Sequence, residues 1–279
     1  MPPTTTTTRT DVTIHPTALV DPLATIDPTA EIGPYVVIEG PVEIGPRTRL
    51  MAHAVVLGRT VVGADNVIHA GAVLGDTPQD VKYAGAPTGL RIGDRNVIRE
   101  HAVLQRATSP ETWTIVGDEN YFMTNAHVAH NCTVGTHVTV ASGALLAGHV
   151  TVGDQAFVSG NCVVHQFTRI GRLAIMRGLA RASRDIPPFA IADGTHEIRG
   201  VNRVGLRRAG FDTAAIRTLV RAFRTLFRVR RNLSEAMTQV EAECRSPEVD
   251  ELLAFIRSAK RGVAMGPPRA MAARSDDDE

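Results

Sequence analysis

Five of the ten histidines in this chain of 279 residues lie between positions 127 and 165: His127, His130, His137, His149 and His165. Imidazole gains and loses a proton near neutral pH, so such a concentration is a first candidate for general acid-base work or metal ligation. The spacing sharpens the candidate. His149 stands 18 positions after Asn131, the neighbour of His130, and His165 stands 36 after Ala129, its other neighbour. In a chain that returns on itself every eighteen residues, His127, His130, His149 and His165 would gather in one place, whereas His15, His53, His69, His101 and His137 read as polar surface residues. Three cysteines, Cys132, Cys162 and Cys244, are odd in number and show no CxxC pair. They argue against a disulfide framework or a zinc ribbon and for a reducing, cytoplasmic setting.

The rest of the sequence supplies the period. An apolar residue recurs every six positions at Ile14, Val20, Ile26, Ile32, Ile38, Ile44, Leu50, Val56, Val62, Ile68 and Leu74. It resumes at Ile92, Ile98, Leu104 and Val116 and runs on through Phe122, Val128, Val134, Val140, Leu146, Val152, Val158, Val164, Ile170 and Met176. Many of these open an Ile-Gly-Pro, Ile-Gly-Asp or Val-Gly-Asp triplet, as at Ile44 and Val152. Six is neither the period of a helix face nor that of a strand, and an antiparallel sandwich would place its turns 8 to 12 residues apart in irregular register. A solenoid remains. Three hexads close one coil of eighteen, and coils stack at about 4.8 Å. The expected fold is an all-β parallel β-helix of about ten coils over residues 12–190.

Two stretches, 75–91 and 108–115, interrupt the hexads but keep their frame. Each is expected to replace whole sides of a coil and to project as a loop from a corner, a usual place for function. The repeat stops after Pro187-Pro188, and 212–230, 234–245 and 246–260 read as helices of a C-terminal α-helical domain, 191–265. Ser246-Pro247-Glu248 supplies an N-cap with Pro at N1, and Ile216, Leu219, Val220, Phe223, Leu226 and Phe227 make an apolar stripe. Residues 1–11 and 266–279 are expected to be disordered.

Thirty Lys and Arg against 29 Asp and Glu leave a net charge of +1, which draws the chain neither to nucleic acid nor to an anionic membrane. There is no eighteen-residue apolar run to span a bilayer. A solenoid interior filled by its aliphatic ladder has no floor for a pocket, so sites are expected between molecules, most simply in a homotrimer.

Longer motifs add a resemblance. The segments Pro78-Gln79-Asp80-Val81-Lys82-Tyr83-Ala84-Gly85, Asn125-Ala126-His127-Val128-Ala129-His130-Asn131, Leu146-Ala147-Gly148-His149 and Val164-His165-Gln166-Phe167 resemble the hexapeptide-repeat acyltransferases. With Asp185-Ile186-Pro187-Pro188-Phe189 and Gly200-Val201-Asn202, the likeness narrows to the UDP-N-acetylglucosamine 3-O-acyltransferases, which open lipid A biosynthesis, over roughly residues 12–262. It implies a left-handed helix, a homotrimer, and transfer of a 3-hydroxyacyl chain from acyl carrier protein to UDP-N-acetylglucosamine (UDP-GlcNAc) with no metal or other cofactor. It also implies His130 as general base and Gly148 as oxyanion donor. Gln79, Asp80, Lys82, His127, Asn131, His149, His165 and Gln166 would hold substrate, joined by Asn202 and Arg208 from the helical domain, and Gly178 would gauge acyl length. The Arg-rich stretch 203–231 is a candidate dock for the acidic carrier.

The sequence departs from that pattern at Asn131, where Asp is usual, and at Gln105, Arg177, Val204 and Ala209. These departures leave room for N-acylation of a 3-amino sugar nucleotide (UDP-GlcNAc3N). A γ-carbonic-anhydrase-like zinc site and a non-catalytic scaffold are the readings from other classes.

Overall fold

In the computed structural model, residues 13–228 and 232–266 are described. Short strands, most of two residues, alternate with corners and stack into three parallel sheets that form the three sides of a solenoid. The first sheet runs from Thr13–Ile14 to Ala190–Asp193 and ends on the antiparallel strand Glu197–Val201. The second runs over nine strands from Leu19–Val20 to Arg181–Ala182, and the third over eight from Thr25–Ile26 to Arg169–Ile170. Ile14 at the open end is 42% exposed, whereas from the second coil on the hexad residue points into the core: Ile32, Leu50, Ile68, Leu104, Val128 and Leu146 are all at most 2% exposed. Each such side chain is worth roughly 1.5–3 kcal/mol of burial.

Away from the loops the register is eighteen, as Thr133↔Thr151↔Arg169. Across the loops it is longer, which corrects the expectation that they replace sides of a coil. Leu74 pairs with Leu104, thirty positions on, and Leu104 with Val128, twenty-four on. The loops are additions of twelve and six residues to complete coils. The reason is the ladder: a missing side would leave backbone N–H and C=O groups unpaired on both neighbouring coils, whereas extra residues at a corner disturb neither.

Corners repeat one backbone device. A residue in the left-handed region turns the chain, as at Asn125, Asn131, His149 and Phe167, with φ of 60°, 59°, 62° and 63°. A buried ladder of asparagines secures another edge: Asn66 Oδ1 accepts from Asn96 N, and Asn96 Oδ1 from Asn120 N, at 2.8 and 2.9 Å.

The helical region holds α1 (Arg203–Arg208), α2 (Thr213–Phe223), α3 (Leu233–Glu243) and α4 (Pro247–Arg257). α2 passes into one π-helical turn, Arg224–Arg228, so the long helix expected from the stripe changes its winding in its last described turn. α1 carries Gly205 and only one buried residue, Leu206, a pattern with no helical period to read. Residues 229–231, and the N- and C-terminal stretches expected to be disordered (except Gly266), lie outside the described residues.

Asp185 joins the two regions. Its carboxylate is 2% exposed and accepts from Arg169 Nε and Arg169 N at 2.8 and 2.9 Å. The same guanidinium donates to Phe255 O and Ser258 Oγ beside the end of α4.

Candidate functional site

The strands His127–Val128, Leu145–Leu146 and Val163–Val164 of the second sheet each deliver the chain to the same corner. The triplets Ala129-His130-Asn131, Ala147-Gly148-His149 and His165-Gln166-Phe167 therefore stack there. Backbone hydrogen bonds tie them: His149 N donates to His130 O at 3.0 Å and Phe167 N to Gly148 O at 3.1 Å. Side chains follow the ladder. The His130 and His149 rings meet edge to face with centroids 5.4 Å apart, and His149 stacks on Phe167 at 4.4 Å.

His130 is the best-held imidazole of the group. Its Nδ1 is 3.0 Å from Asn131 Oδ1, and that oxygen also accepts from Thr108 N at 3.1 Å and Thr108 Oγ1 at 2.8 Å. An amide oxygen can only accept, so Nδ1 carries the proton and Nε2 keeps its lone pair. That is the tautomer a general base needs. Nε2 lies over Gly148, whose N–H donates to no backbone carbonyl among the described residues.

The first loop provides the flank. Asp80 sits close enough to His149 to favour its protonation, although burial and the nearby His130 outweigh it and hold the His149 pKa below the ordinary histidine range. The Asp80 carboxylate accepts from Lys82 N at 2.9 Å, leaving the Lys82 side chain exposed. Gln79 N donates to Gln105 Oε1 at 3.3 Å, and Gln105, 2% exposed, props the loop from beneath. His127 faces outward on the second sheet between Val103 and Leu145, where burial lowers its pKa.

Below the corner, His165 and Gln166 line a groove of about 510 Å³ together with Val163, Arg181, Ser183 and His196. His165 Nδ1 lies 3.1 Å from Gln166 O. The remaining residues stand elsewhere. Gly178 occupies the exposed corner after the first sheet, following Ile175–Met176. Asn202 is 3% exposed, and its amide caps α1 through Gly205 N and donates to Leu173 O, both at 2.8 Å. Arg208, in the last turn of α1, is exposed. Within one chain the corner gathers Asp80, His130, Gly148 and His149, with His165 and Gln166 just below, while Gly178 belongs to another corner and Asn202 and Arg208 to the helical region.

Sequence reading missed the threonines. Thr108, Thr112 and Thr114 all hydrogen-bond Asn131, and Phe167 packs on His149. The 18-residue offset would have found Phe167, but no hexad rule reaches into the second loop.

Comparison with known proteins matches these features. Residues 185–264 fit the family model described as UDP N-acetylglucosamine O-acyltransferase, domain 2, and residues 41–76 and 114–148 fit the bacterial transferase hexapeptide model. The acyl-(acyl-carrier-protein)-UDP-N-acetylglucosamine O-acyltransferase of Anaeromyxobacter sp. is 44% identical over 253 residues, 90% of this chain and 98% of that protein. The crystal structure of a UDP-N-acetylglucosamine acyltransferase from Bacteroides fragilis superimposes with a TM-score of 0.87 at 39% identity, covering 90% of this chain and 99% of that one. The enzyme of that name from Francisella novicida gives 0.86 at 29% identity, covering 95% and 100%. With relatives this similar along nine tenths of its length, and with both its coils and its helical region matched, the chain belongs to the UDP-N-acetylglucosamine O-acyltransferase family.

Proposed function

We propose that the chain transfers a 3-hydroxyacyl group from acyl carrier protein to the 3-hydroxyl of UDP-GlcNAc, the opening reaction of lipid A biosynthesis. The observation that carries the mechanism is the His130–Asn131 pair, which leaves Nε2 as an unprotonated acceptor beside Gly148. Nε2 takes the proton of the sugar hydroxyl as its oxygen attacks the thioester carbonyl. The oxyanion that forms accepts from Gly148 N–H, a contact of a kind worth about 3 kcal/mol. Collapse expels the carrier thiolate, which recovers the proton from His130. No covalent enzyme intermediate, metal or cofactor is required.

Gln79, Asp80, Lys82, His149 and Gln166 hold the sugar nucleotide, with His127 and His165 close by. Asn202 and Arg208 approach it from the helical region, and Gly178 borders the acyl chain. Since these residues lie on separate corners of one chain, a complete site needs a neighbouring copy, and the assembly is a homotrimer. Support comes from the second sheet, whose outward positions Leu19, Val37, Val55, Val73, Val103, Leu145 and Val163 form an apolar stripe down the solenoid, interrupted by His127 between Val103 and Leu145. No helix among the described residues is long and apolar enough to cross a membrane. The three buried free thiols suit a reducing cytoplasm.

Purified protein incubated with 3-hydroxyacyl carrier proteins of several lengths and UDP-GlcNAc, beside UDP-GlcNAc3N, is expected to yield 3-O-acyl product by mass spectrometry. Acylation of the 3-amino sugar nucleotide alone would establish N-transfer instead, and no turnover of either would sink the reading.

A further inference from the structure

We infer that Thr108 and Thr112, on the second loop, are positioning residues for acyl transfer: they lock the Asn131 amide with its oxygen toward His130 and so decide which imidazole nitrogen is free to accept a proton. The inference rests on the acyl-transfer reading of His130. An asparagine beside a histidine is a two-way switch. With its oxygen forward it demands a proton on Nδ1 and frees Nε2, whereas with its NH₂ forward it takes up the Nδ1 lone pair and drives the proton onto Nε2, where it blocks the base. A carboxylate at this position would face no such choice, because both of its oxygens accept.

Two contacts around Asn131, one at each end of its amide, select the oxygen-forward state, and the Thr108 hydroxyl reinforces it. Thr108 N can only donate, and it points at Oδ1 from 3.1 Å. Thr108 Oγ1 donates to the same oxygen at 2.8 Å. At the other end of the amide, Nδ2 donates to Thr112 Oγ1 at 3.2 Å. That hydroxyl has already given its one hydrogen to Ser109 O at 2.6 Å, so it meets the amide as an acceptor. The main chain is held as well, with Asn131 N donating to Thr114 Oγ1 at 2.8 Å. A flipped amide would set NH₂ against the Thr108 N–H and its oxygen against the Thr112 lone pair, while the Thr108 hydroxyl could turn to serve either state. The six-residue addition to this coil thus supplies the orientation that a neutral residue at 131 lacks by itself.

The test compares wild type with Thr108→Val, Thr112→Val and their double variant, each alone and combined with Asn131→Asp. The double valine variant is expected to lose at least about tenfold in kcat with KM unchanged, as fits a group poised wrongly in the transition state. ¹⁵N NMR on histidine-labelled protein should show neutral His130 moving from the Nδ1–H form to a mixture of both tautomers. Thr108→Ser with Thr112→Ser, which keeps both hydroxyls, should retain wild-type kcat and tautomer. In the Asn131→Asp background, the valine pair should cost no more than about twofold, since a carboxylate needs no steering. Unchanged tautomer and kcat in the double variant, or an equal loss in the Asp background, would overturn the inference. Should no form, wild type included, transfer acyl groups, the functional reading fails, and the NMR comparison still decides whether the threonines set the tautomer.

Discussion

The imidazole of His130 fills the space that a side chain on Gly148 would need: a Cβ at position 148 would stand 2.4 Å from its Cε1 and 2.6 Å from its Nε2. The glycine is there for close approach and not for a turn, since its φ lies outside the left-handed region. Gly178 differs, with nothing nearer to its would-be Cβ than Gly160 O at 3.8 Å. Two glycines of one solenoid thus do unlike things, and substitution separates them.

Gly148→Ala should fold normally yet push the His130 ring off its seat. A fall in kcat of about a hundredfold is expected, with the thermal midpoint little changed. Gly178→Ala meets no such obstruction and should leave kcat on a short acyl donor near wild type.

His130→Ala removes the proposed base. Transfer is expected to fall by about 10²- to 10⁴-fold while circular dichroism and particle mass stay those of wild type. A variant that keeps most of its rate would show that another group takes the proton.

Arg169 and Asp185 form the most buried ion pair at the junction of coils and helices. Arg169→Leu leaves the carboxylate buried without a counter-charge and should cost about 3–5 kcal/mol in urea titration. Replacing both residues by apolar ones of similar size should recover part of that loss.

Burial holds the His127 imidazole below the ordinary histidine range. As pH falls the unfolded chain therefore takes up this proton before the folded one does. The stability contributed by this group is complete above the unfolded pKa of about 6.5 and is lost progressively as pH drops below it. His127→Leu should accordingly lose less stability than wild type between about pH 7.5 and about pH 5.

Leu145 and Val163 are each 43% exposed on the apolar stripe of the second sheet. Leu145→Asp combined with Val163→Asp should shift the proposed trimer toward monomer in light scattering, without unfolding the coils. A trimer unaffected by both changes would place the interface on another face.

The hexad frame made the coil, its inward ladder and the stacking of His130, His149 and His165 at one corner legible from residue order, because a six-residue period is a local property repeated many times. The same frame located both loops but misjudged what they do to the coil, since only strand pairing reveals that Leu104 sits over Leu74 across thirty positions. α1 was invisible for a related reason. It is held by Asn202 at its start and Leu206 in the core, not by any periodic face.

What residue order determined is the scaffold and the kinds of groups along its edge. Tertiary structure alone decided how those groups point, because the hydrogen bonds that orient Asn131 come from Thr108, Thr112 and Thr114, 17 to 23 positions earlier and one coil away. The placement of Gly178 on a different corner from His130, by contrast, already follows from the hexad frame, since the two stand 48 positions apart and 48 is not a multiple of eighteen. A side chain's type follows from its codon, but the direction of an amide follows from the donors and acceptors packed around it.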